Sequence, residues 1–396
     1  MMKEKEMKRV PKLRFPEFTD DWEQRKYAEI IELLSGQDFN PEEYNEDGIG
    51  IPYLTGASCI VNGCTTAVRW TEKPRCIAEK GDTVLVCKGS GYGAIATVTQ
   101  KKAHIARQFM ALKVKKYELD NRFNYFLLNS VVENIKTDAR GLIAGIARDA
   151  VLKQEIDIPC LNEQKKIGEY FSYLDHLITL HQRKLKNLNV LKKCVMQKLF
   201  SQKVRFKADD GSEFPKWKEK RLGDVFIERT ERSKGGETLL SVTIAQGIVR
   251  QSETDKRNTA SENKSNYKIV KRNDLAYNTM RMWQGAEGVS EYDGIVSPAY
   301  TVITALDGNN SYFFEILFKQ TFMLQIFQRY SQGLTSDTWN LKFPTFSEIK
   351  CLVPCEDEQN KIVECVTVLD SVIEKQKATL AAWEELKKGL LQQMFV

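Results

Sequence analysis

The chain has 396 residues, of which 42 % are hydrophobic and 28 % charged, a globular composition that excludes a disordered or collagen-like protein. At roughly 100–200 residues per domain, this length predicts two or three domains. The net charge of +6 is too small to indicate a polyanionic partner by itself, so the distribution of charge along the chain matters more.

The N-terminus is charged throughout and has no apolar segment, so no signal peptide is expected. No stretch approaches the roughly 18 consecutive apolar residues that cross a membrane. Nine cysteines, an odd number without a dense framework, are typical of reduced thiols in a cytoplasmic protein. Neither Cys59-x4-Cys64 nor Cys351-x3-Cys355 has a second ligand pair nearby, so no metal site is predicted.

Each half of the chain contains one basic segment. Residues 69–116 carry eleven Lys or Arg against three acids, and residues 250–281 carry eight against four. Two such segments indicate two contacts with phosphate. A face that merely keeps the protein soluble explains them about equally well at this point.

Both halves also mix strand-like and helical patterns. Short β-like runs such as Thr83–Cys87, Ile95–Thr99 and Ala299–Thr304 lie between turns rich in Gly, Asn and Asp. Helices are expected at Arg122–Lys136 and Tyr312–Tyr330. Their aromatic spacing favours core packing over a stacking platform for bases.

An internal repeat decides the predicted architecture. Residues 159–200 align without a gap to residues 354–395 at an offset of 195, with 16 of 42 positions identical, and the same offset pairs Trp22 with Trp217. Between these anchors the two halves diverge almost completely. The repeat unit is therefore a variable domain followed by a fixed element.

The fixed element is predicted to be a long helix that begins at Asn162 and Asp357 as N-caps. A heptad stripe of apolar residues predicts a seam along which the two helices, or a partner, pack. Its members are Ile167, Phe171, Leu174, Ile178, Leu185, Leu188, Val195 and Leu199 in the first copy, and Ile362, Val366, Leu369, Ile373, Leu380, Trp383, Leu390 and Met394 in the second.

Polar residues interrupt both stripes at the same two places, His181 with Gln376 and Lys192 with Lys387. Matching interruptions suggest that the two helices pack on each other, because polar seam residues commonly fix register. A seam histidine is far more often structural than a ligand or a base. The lysine pairs 192–193 and 387–388 are first interpreted as a solvated helix face.

The predicted fold class is therefore mixed α/β, with two variable domains joined by two long antiparallel coiled-coil helices in a pseudo-two-fold repeat. The predicted boundaries are residues 1–155 and 201–350 for the variable domains, and 156–200 and 351–396 for the helices.

Motifs for catalysis are missing from the sequence. It has no phosphate-binding G-x-x-x-x-G-K-[ST] loop, no H-E-x-x-H, no G-x-S-x-G, and no Asn/Asp-Pro-Pro-aromatic signature of amino-methyltransferases. We therefore predict no catalytic residue and no metal or cofactor in this chain.

The chain resembles the specificity subunit of type I restriction-modification enzymes over nearly its whole length. The resemblance rests on the repeated P-x-x-x-E-Q-x-K-I…L-D…L-K-K helix and on the opening Phe15-Pro16-x-Phe18…Trp22, echoed by Phe214-Pro215-x-Trp217. It also rests on residues 273–300, which are similar to a common form of target-recognition domain.

The resemblance implies that each variable domain recognises one half of an interrupted DNA sequence. It implies that the antiparallel helices set the spacer and dock two modification subunits, which methylate adenine, and that two restriction subunits join them to cleave unmodified DNA. S-adenosylmethionine, ATP and Mg would then belong to those partners.

Candidate DNA contacts follow from position and chemistry, because Arg and Gln suit guanine and adenine edges. For any one arginine, contact with phosphate is commoner than contact with a base, and Trp283 could equally be a buried anchor. The candidates are Lys88, Ser90, Tyr92, Arg107, Gln108, Arg140 and Arg148 in the first domain, and Arg250, Thr279, Arg281, Trp283, Gln284, Ser336, Trp339 and Asn340 in the second.

Two alternatives remain open on the sequence alone. One is a coiled-coil scaffold that binds proteins and no nucleic acid. The other is a stand-alone DNA-modifying enzyme with a diverged site.

Overall fold

The computed structural model describes residues 10–137, 145–244, 246–254, 263–336 and 338–395. These residues divide into two compact units. The first unit comprises residues up to 186 together with those from 375 onward, and the second comprises residues 187–374. Both units are mixed α/β, and each contains part of both long helices, so the predicted fold class is confirmed.

The elements of the first half, in chain order, are β1 (Glu23–Lys26), α1 (Tyr27–Ile30), β2 (Ile31–Ser35), β3 (Ile51–Leu54), β4 (Ile60–Val61), β5 (Cys64–Thr65), β6 (Trp70–Thr71), β7 (Ile77–Glu79), β8 (Thr83–Val86), β9 (Ile95–Thr97), β10 (Lys102–Ile105), β11 (Phe109–Val114), α2 (Asn121–Thr137), α3 (Arg148–Leu152), β12 (Glu155–Ile158) and α4 (Leu161–Phe200). The larger sheet has the strand order β2-β11-β8-β9-β5-β4, and a second sheet has the order β6-β3-β10-β7. In the larger sheet β11 pairs antiparallel with both β2 and β8.

The second half continues with β13 (Lys218–Arg221), β14 (Phe226–Glu228), β15 (Leu240–Thr243), β16 (Gly247–Arg250), β17 (Lys268–Val270), β18 (Leu275–Asn278), β19 (Glu287–Val289), β20 (Gly294–Val296), β21 (Tyr300–Ala305), α5 (Ser311–Phe318), α6 (Thr321–Tyr330), α7 (Phe343–Ser347), β22 (Lys350–Val353) and α8 (Glu356–Met394). Its main sheet has the order β14-β21-β18-β19. This unit also contains the hairpin β15-β16 and the strand pairs β17-β20 and β13-β22.

The repeat is visible in the way each variable domain is closed. Strand β1 pairs antiparallel with β12, with Glu23 opposite Ile158, and β13 pairs with β22, with Lys218 opposite Val353. Both registers follow the offset of 195. The first strand of each domain is thus tied to the strand that leads directly into the long helix.

Identical residues at the start of each long helix perform identical structural tasks. Glu163 and Glu358 are buried and accept hydrogen bonds from the guanidinium groups of Arg14 and Arg205 at 2.6–3.0 Å. The next residue, Gln164 or Gln359, accepts a backbone N–H of the domain through Oε1 and donates through Nε2 to the carbonyl of the preceding proline. The repeated Glu-Gln pair therefore fastens each helix to its domain.

The predicted N-caps are wrong by two positions. Gln164 N–H donates to the carbonyl of Cys160, and Gln359 N–H donates to that of Cys355, both at 3.0 Å. Helices α4 and α8 therefore begin at Leu161 and Glu356, and Asn162 and Asp357 lie inside the first turn. The glutamine side chains stabilise these starts through bonds to Pro159 and Pro354, so the helices do not depend on a capping Asn or Asp.

The single helix predicted at Tyr312–Tyr330 is two helices, α5 and α6. Gln320 is extended, with φ −72° and ψ 140°, and its side-chain amide donates to the carbonyl of Ile316 at 2.8 Å, near the end of α5. The break lets Met323 and Phe327 of α6 join the same core as the aromatics of α5. A continuous apolar pattern could not reveal such a bend.

Within each unit, the beginning of one long helix packs antiparallel to the end of the other. In the first unit Phe395, just after α8, lies 5.9 Å from the ring of Phe171 and 6.4 Å from that of Trp22. In the second unit Phe200, at the end of α4, lies 6.2 Å from Trp217. Phe200 and Phe395 are repeat equivalents, so both helices close the core of a domain in the same way.

The structure places the predicted seam residues along these packed faces. Buried members are Ile167, Phe171, Leu174, Ile178, Leu199, Ile362, Val366, Ile373 and Met394, and half-buried members are Leu185, Leu188, Val195, Leu369, Leu380, Trp383 and Leu390.

The polar interruptions of the seam have partners. Gln376 Nε2 donates to His181 Nδ1 at 2.8 Å in the first unit. Lys387 pairs with Asp175 in the first unit, and Lys192 pairs with Asp370 in the second. These two ion pairs are related by the offset of 195. Lys192 and Lys387 are half-buried, so the prediction that they lie on a solvated helix face is wrong. Lys193 and Lys388 are exposed, as predicted.

Candidate nucleic-acid interface

Four of the predicted residues of the first domain meet at one end of the larger sheet. Strand β8 ends and β11 begins there, because Val86 lies opposite Phe109. Cys87 N–H donates to the carbonyl of Gln108 at 2.7 Å, so the residues that follow β8 face those that precede β11. We call Lys88, Arg107, Gln108 and Arg148 the first-unit edge.

Arg148 joins this edge from a distant part of the chain. The amide of Ile146 donates to the Cys87 carbonyl at 2.8 Å, and Lys88 forms a β-bridge with Gly145. The Arg148 guanidinium donates to the Ser35 hydroxyl at 3.2 Å, at the end of β2. Lys88, Arg107 and Arg148 are exposed, so three cations lie at one end of the sheet.

A glycine turn shapes the space beside Gln108. Gly89, Gly91 and Gly93 have φ of +86° to +89°, a left-handed conformation that favours glycine. A Cβ at Gly56 would lie 2.3 Å from Gln108 Oε1, so the amide side chain depends on that glycine as well. The glutamine is therefore held at the edge by close packing against glycine backbone.

The other two residues predicted in this turn differ in exposure. Ser90 is exposed. Tyr92 is half-buried, packs against the core, and has Lys136 Nζ 5.6 Å from its ring centroid. The structure thus places Ser90 beside the edge and Tyr92 in the packing beneath the turn. Arg140 lies outside the described residues.

In the second unit, the turn after β18 meets a later hairpin. Leu341 N–H donates to the Thr279 carbonyl at 2.8 Å, and the ring of Trp283 lies 5.2 Å from that of Trp339 at an angle of 74°. Arg281 donates to the Gln284 side chain at 3.2 Å. We call this set the second-unit cluster: Thr279, Arg281, Trp283, Gln284, Trp339 and Asn340.

The hairpin that carries Trp339 and Asn340 is closed by two backbone hydrogen bonds between Gln332 and Asn340, at 2.8 and 2.9 Å. Ser336 lies exposed in its loop. Trp283 is half-buried, donates through Nε1 to the Met280 carbonyl at 3.2 Å, and packs against the core. The geometry therefore gives Trp283 an anchoring role in addition to its position in the cluster.

A cleft of about 450 Å³ opens beside the second-unit cluster. Thr279 and Asn340 line it together with Lys268 and Lys342, which the sequence did not single out. Lys268 Nζ lies 3.2 Å from Glu228 Oε1, so one of the two lysines has an acidic partner. Neither lysine is near Thr279 in sequence, which is why spacing gave no signal for them.

Arg250 does not join this cluster. Its guanidinium lies 4.5 Å from the ring centroid of Tyr292 and 3.4 Å from Glu253. Tyr292 follows β19 near Asp274, at the start of β18, whereas Thr279 follows the end of β18. The structure therefore places Arg250 at the opposite end of this strand.

The described ranges contain neither a metal-binding cluster nor a membrane-spanning helix. No group of three or more His, Cys, Asp or Glu there could hold a metal ion. No helix among those residues is long and apolar enough to cross a membrane.

Residues 19–190 and 215–382 match the family described as type I restriction modification DNA specificity domain. The chain belongs to this family. The two matched segments are the two repeats, and each contains one group of candidate contacts, the first-unit edge or the second-unit cluster.

Individual relatives agree with this assignment to the specificity family. The chain is 27 % identical over 208 residues to the specificity subunit of the type I restriction enzyme MjaX of Methanocaldococcus jannaschii, covering 51 % of this chain and 48 % of the relative. It is 27 % identical over 231 residues to the MjaVIII specificity subunit of the same organism, covering 56 % and 52 %. The matches thus span about half the length of these curated relatives.

The fold has known counterparts over the full chain. The S subunit of a type I restriction-modification system from M. genitalium superposes with a TM-score of 0.63 at 19 % identity, covering 98 % of this chain and 99 % of that one. A structure described as underlying complex assembly and conformational transition of the type I R-M system gives a TM-score of 0.56 at 15 % identity, covering 94 % and 97 %. At these identities the likeness concerns the fold.

Proposed function

We propose that this chain is the DNA sequence-recognition subunit of a type I restriction-modification complex. Each unit binds one part of a bipartite, interrupted target in double-stranded DNA. The observation that carries the proposal is that each of the two family segments presents its own group of cationic and amide side chains where strands of its main sheet end or begin.

The chemistry of the two groups suits different parts of a duplex. Exposed Lys88 and Arg148 attract phosphates and position the protein. Gln108 in the first unit, and Gln284 with Asn340 in the second, carry the amide groups that recognise adenine in the major groove. The second unit therefore recognises its half-site with fewer charges and more amide and aromatic surface.

In vitro selection from random duplexes tests this division of labour. We expect the complex of this chain with its modification subunits to enrich an interrupted, two-part sequence. Gln108→Ala should relax only one half-site and Asn340→Ala only the other, because the residues belong to different units. Selection of a contiguous motif would contradict the proposal, and so would a loss of base preference in both half-sites from one substitution. Failure of the complex to bind any duplex at low salt would contradict it as well.

We also propose that the outer faces of the long helices dock two modification subunits. In the first unit these faces expose Tyr173, Leu180 and Leu386, and in the second unit Val368, Val372, Val190 and Leu191. The offset of 195 relates Tyr173 to Val368 and Leu191 to Leu386. Exposed apolar residues repeated in this way support two equivalent partners.

Native mass spectrometry of the co-expressed complex tests the docking. We expect Tyr173→Asp or Val368→Asp alone to remove one modification subunit, and the double variant to remove both. Tyr117→Asp is a matched control, because Tyr117 is 94 % exposed but lies outside the long helices. Retention of both subunits by the double variant would overturn this part of the proposal.

In this scheme the chain itself is non-catalytic and acts in the cytoplasm, where it meets the chromosome. The modification subunits bind S-adenosylmethionine and methylate adenine, and two restriction subunits use ATP and Mg to cleave unmodified DNA. The long helices set the spacer between the two half-sites.

A further inference from the structure

One acidic side chain lies within the otherwise cationic first-unit edge. Asp38 Oδ1 accepts the backbone N–H of Arg107 at 3.1 Å, and Asp38 Oδ2 lies 2.6 Å from Arg107 Nε. The carboxylate therefore holds both the backbone and the guanidinium of this arginine. The Arg107 side chain is still 74 % exposed, so the contact leaves most of it accessible to a ligand.

The backbone next to Asp38 is held by hydrogen bonds to buried groups. Its neighbour Gln37 donates its N–H to the Ile105 carbonyl at 3.0 Å and accepts a hydrogen bond from His104 Nε2 at 2.7 Å. His104 is fully buried, and its Nδ1 accepts the N–H groups of Arg75 and Cys76. Asp38 is thus mounted on a rigid support, as a group that orients another side chain must be.

A carboxylate in this place opposes a purely phosphate-binding role for Arg107. It neutralises the arginine locally and repels phosphate, which lowers sequence-independent affinity. Arg148 provides the contrast, because its guanidinium donates to the uncharged hydroxyl of Ser35 and keeps its full charge. An arginine paired with a carboxylate is useful where the orientation of the guanidinium matters more than its charge, as in bidentate hydrogen bonding to guanine O6 and N7.

We propose that Asp38 is a specificity-determining positioning residue, which holds Arg107 for contact with a guanine edge and weakens its attraction to phosphate. This inference rests on the proposed function. It goes further by naming the base that Arg107 recognises and the residue that controls it.

Two measurements on the complex with its modification subunits test the inference. One is the base preference at each target position, and the other is the affinity for a duplex without the target. Arg107→Ala should lower the guanine preference at one position of one half-site by about tenfold or more, and Arg107→Lys should lower it as well, because lysine lacks the planar fork of the guanidinium. Arg107→Lys should retain the affinity for non-target duplex, since its charge is unchanged.

Asp38→Asn separates positioning from a merely structural role. We expect it to lower the preference at the same position several-fold while raising the affinity for non-target duplex, because it removes a negative charge. In the Arg107→Ala background it should cause no further loss of preference. Glu169→Gln is the matched control, since it removes the same charge from the exposed ion pair between Glu169 of α4 and Arg122 of α2, and it should alter neither measurement.

The outcomes distinguish this inference from the proposed function. If the wild-type complex selects an interrupted target but Asp38→Asn keeps the guanine preference, the inference is wrong and the proposed function stands. The inference is also wrong if Asp38→Asn weakens target and non-target binding alike, or lowers the preference equally without Arg107. If the wild-type complex selects no interrupted target, the proposed function itself fails.

Discussion

Two buried carboxylates illustrate how far individual residues could be predicted. The repeat marks Glu163 and Glu358 as special, but it does not identify their partners. Arg14 and Arg205 are 191 residues apart rather than 195, so they are not aligned by the repeat, and each lies about 150 residues from its glutamate. Sequence can thus show that a position is fixed and still not show why.

Loss of the Glu358 charge should destabilise the second unit. Glu358 is 1 % exposed and accepts from Arg205 and from Trp217 Nε1 at 3.1 Å. Glu358→Gln leaves Arg205 without its counter-charge, so we expect a loss of about 3 kcal/mol in the free energy of unfolding. Urea denaturation monitored by tryptophan fluorescence measures it.

An exposed pair provides the control for that variant. Glu219→Gln removes one partner of the exposed contact with Lys350 and should cost under about 0.5 kcal/mol. Equal losses from the two variants would contradict the role assigned to Glu358.

His104 should make the stability of the first unit dependent on pH. Burial lowers the pKa of His104, Arg75 lowers it further, and the carboxylates of Asp38 and Glu43 act in the opposite direction. Because the folded-state pKa is below the ordinary value of about 6.5, its stabilisation is present above that pH and is lost as pH falls through the folded-state pKa. Urea denaturation between pH 8 and pH 5 should show this loss.

Two variants separate this effect from general acid sensitivity. His104→Gln cannot be protonated, so it should be less stable at pH 8 but show a flatter profile. His176→Gln replaces an exposed histidine and should keep the wild-type profile. A wild-type profile in the His104→Gln variant would show that another group carries the pH dependence.

At the scale of elements, apolar periodicity predicted which helices and strands exist better than it predicted where they begin and end. The long helices, the strand at 83–86 and the helix at 121–137 follow directly from apolar spacing. Apolar spacing does not predict the division between α5 and α6 or the first residues of the two long helices. Hydrogen bonds of the Gln320, Gln164 and Gln359 side chains determine these positions. The candidate edge was predictable only in part, since β8 and β11 are adjacent in space but Asp38 and Arg107 are 69 residues apart.

The polar pair in the first-unit seam should cost stability. Gln376 is buried and forms a hydrogen bond with His181. When both polar side chains are replaced by apolar ones, no buried donor or acceptor is left without a partner. We expect His181→Leu with Gln376→Leu to raise the free energy of unfolding by about 1 kcal/mol. Gln376→Leu alone should lower it by a similar amount, because His181 then lacks its donor.

Thermal or urea unfolding of the double variant and of Gln376→Leu measures this balance. Leu180→Ala serves as the control, because this leucine lies on the exposed face of the same helix. If the double variant were less stable than Gln376→Leu alone, the His181–Gln376 pair would stabilise the fold in addition to fixing the register of the helices.

At the scale of the whole molecule, the proposed spacer function makes a geometric prediction. One turn of helix adds about 5.4 Å. Insertion of one turn near Leu199 should therefore lengthen the DNA spacer and leave both half-sites unchanged, as determined by sequencing of selected duplexes. Insertion of the same residues in the exposed loop near Tyr117 is the control and should not change the spacer. An altered half-site with an unchanged spacer would contradict the role of the helices.

The most direct test of the central claim is single-molecule sequencing of modified bases in cells that carry this chain and its modification subunit. We predict N6-methyladenine in both parts of an interrupted motif. Exchange of residues 23–155 for another recognition domain should change one part and leave the other intact. Absence of methylation despite an active modification subunit, or a change in both parts, would contradict the claim that each unit recognises its own half of the target.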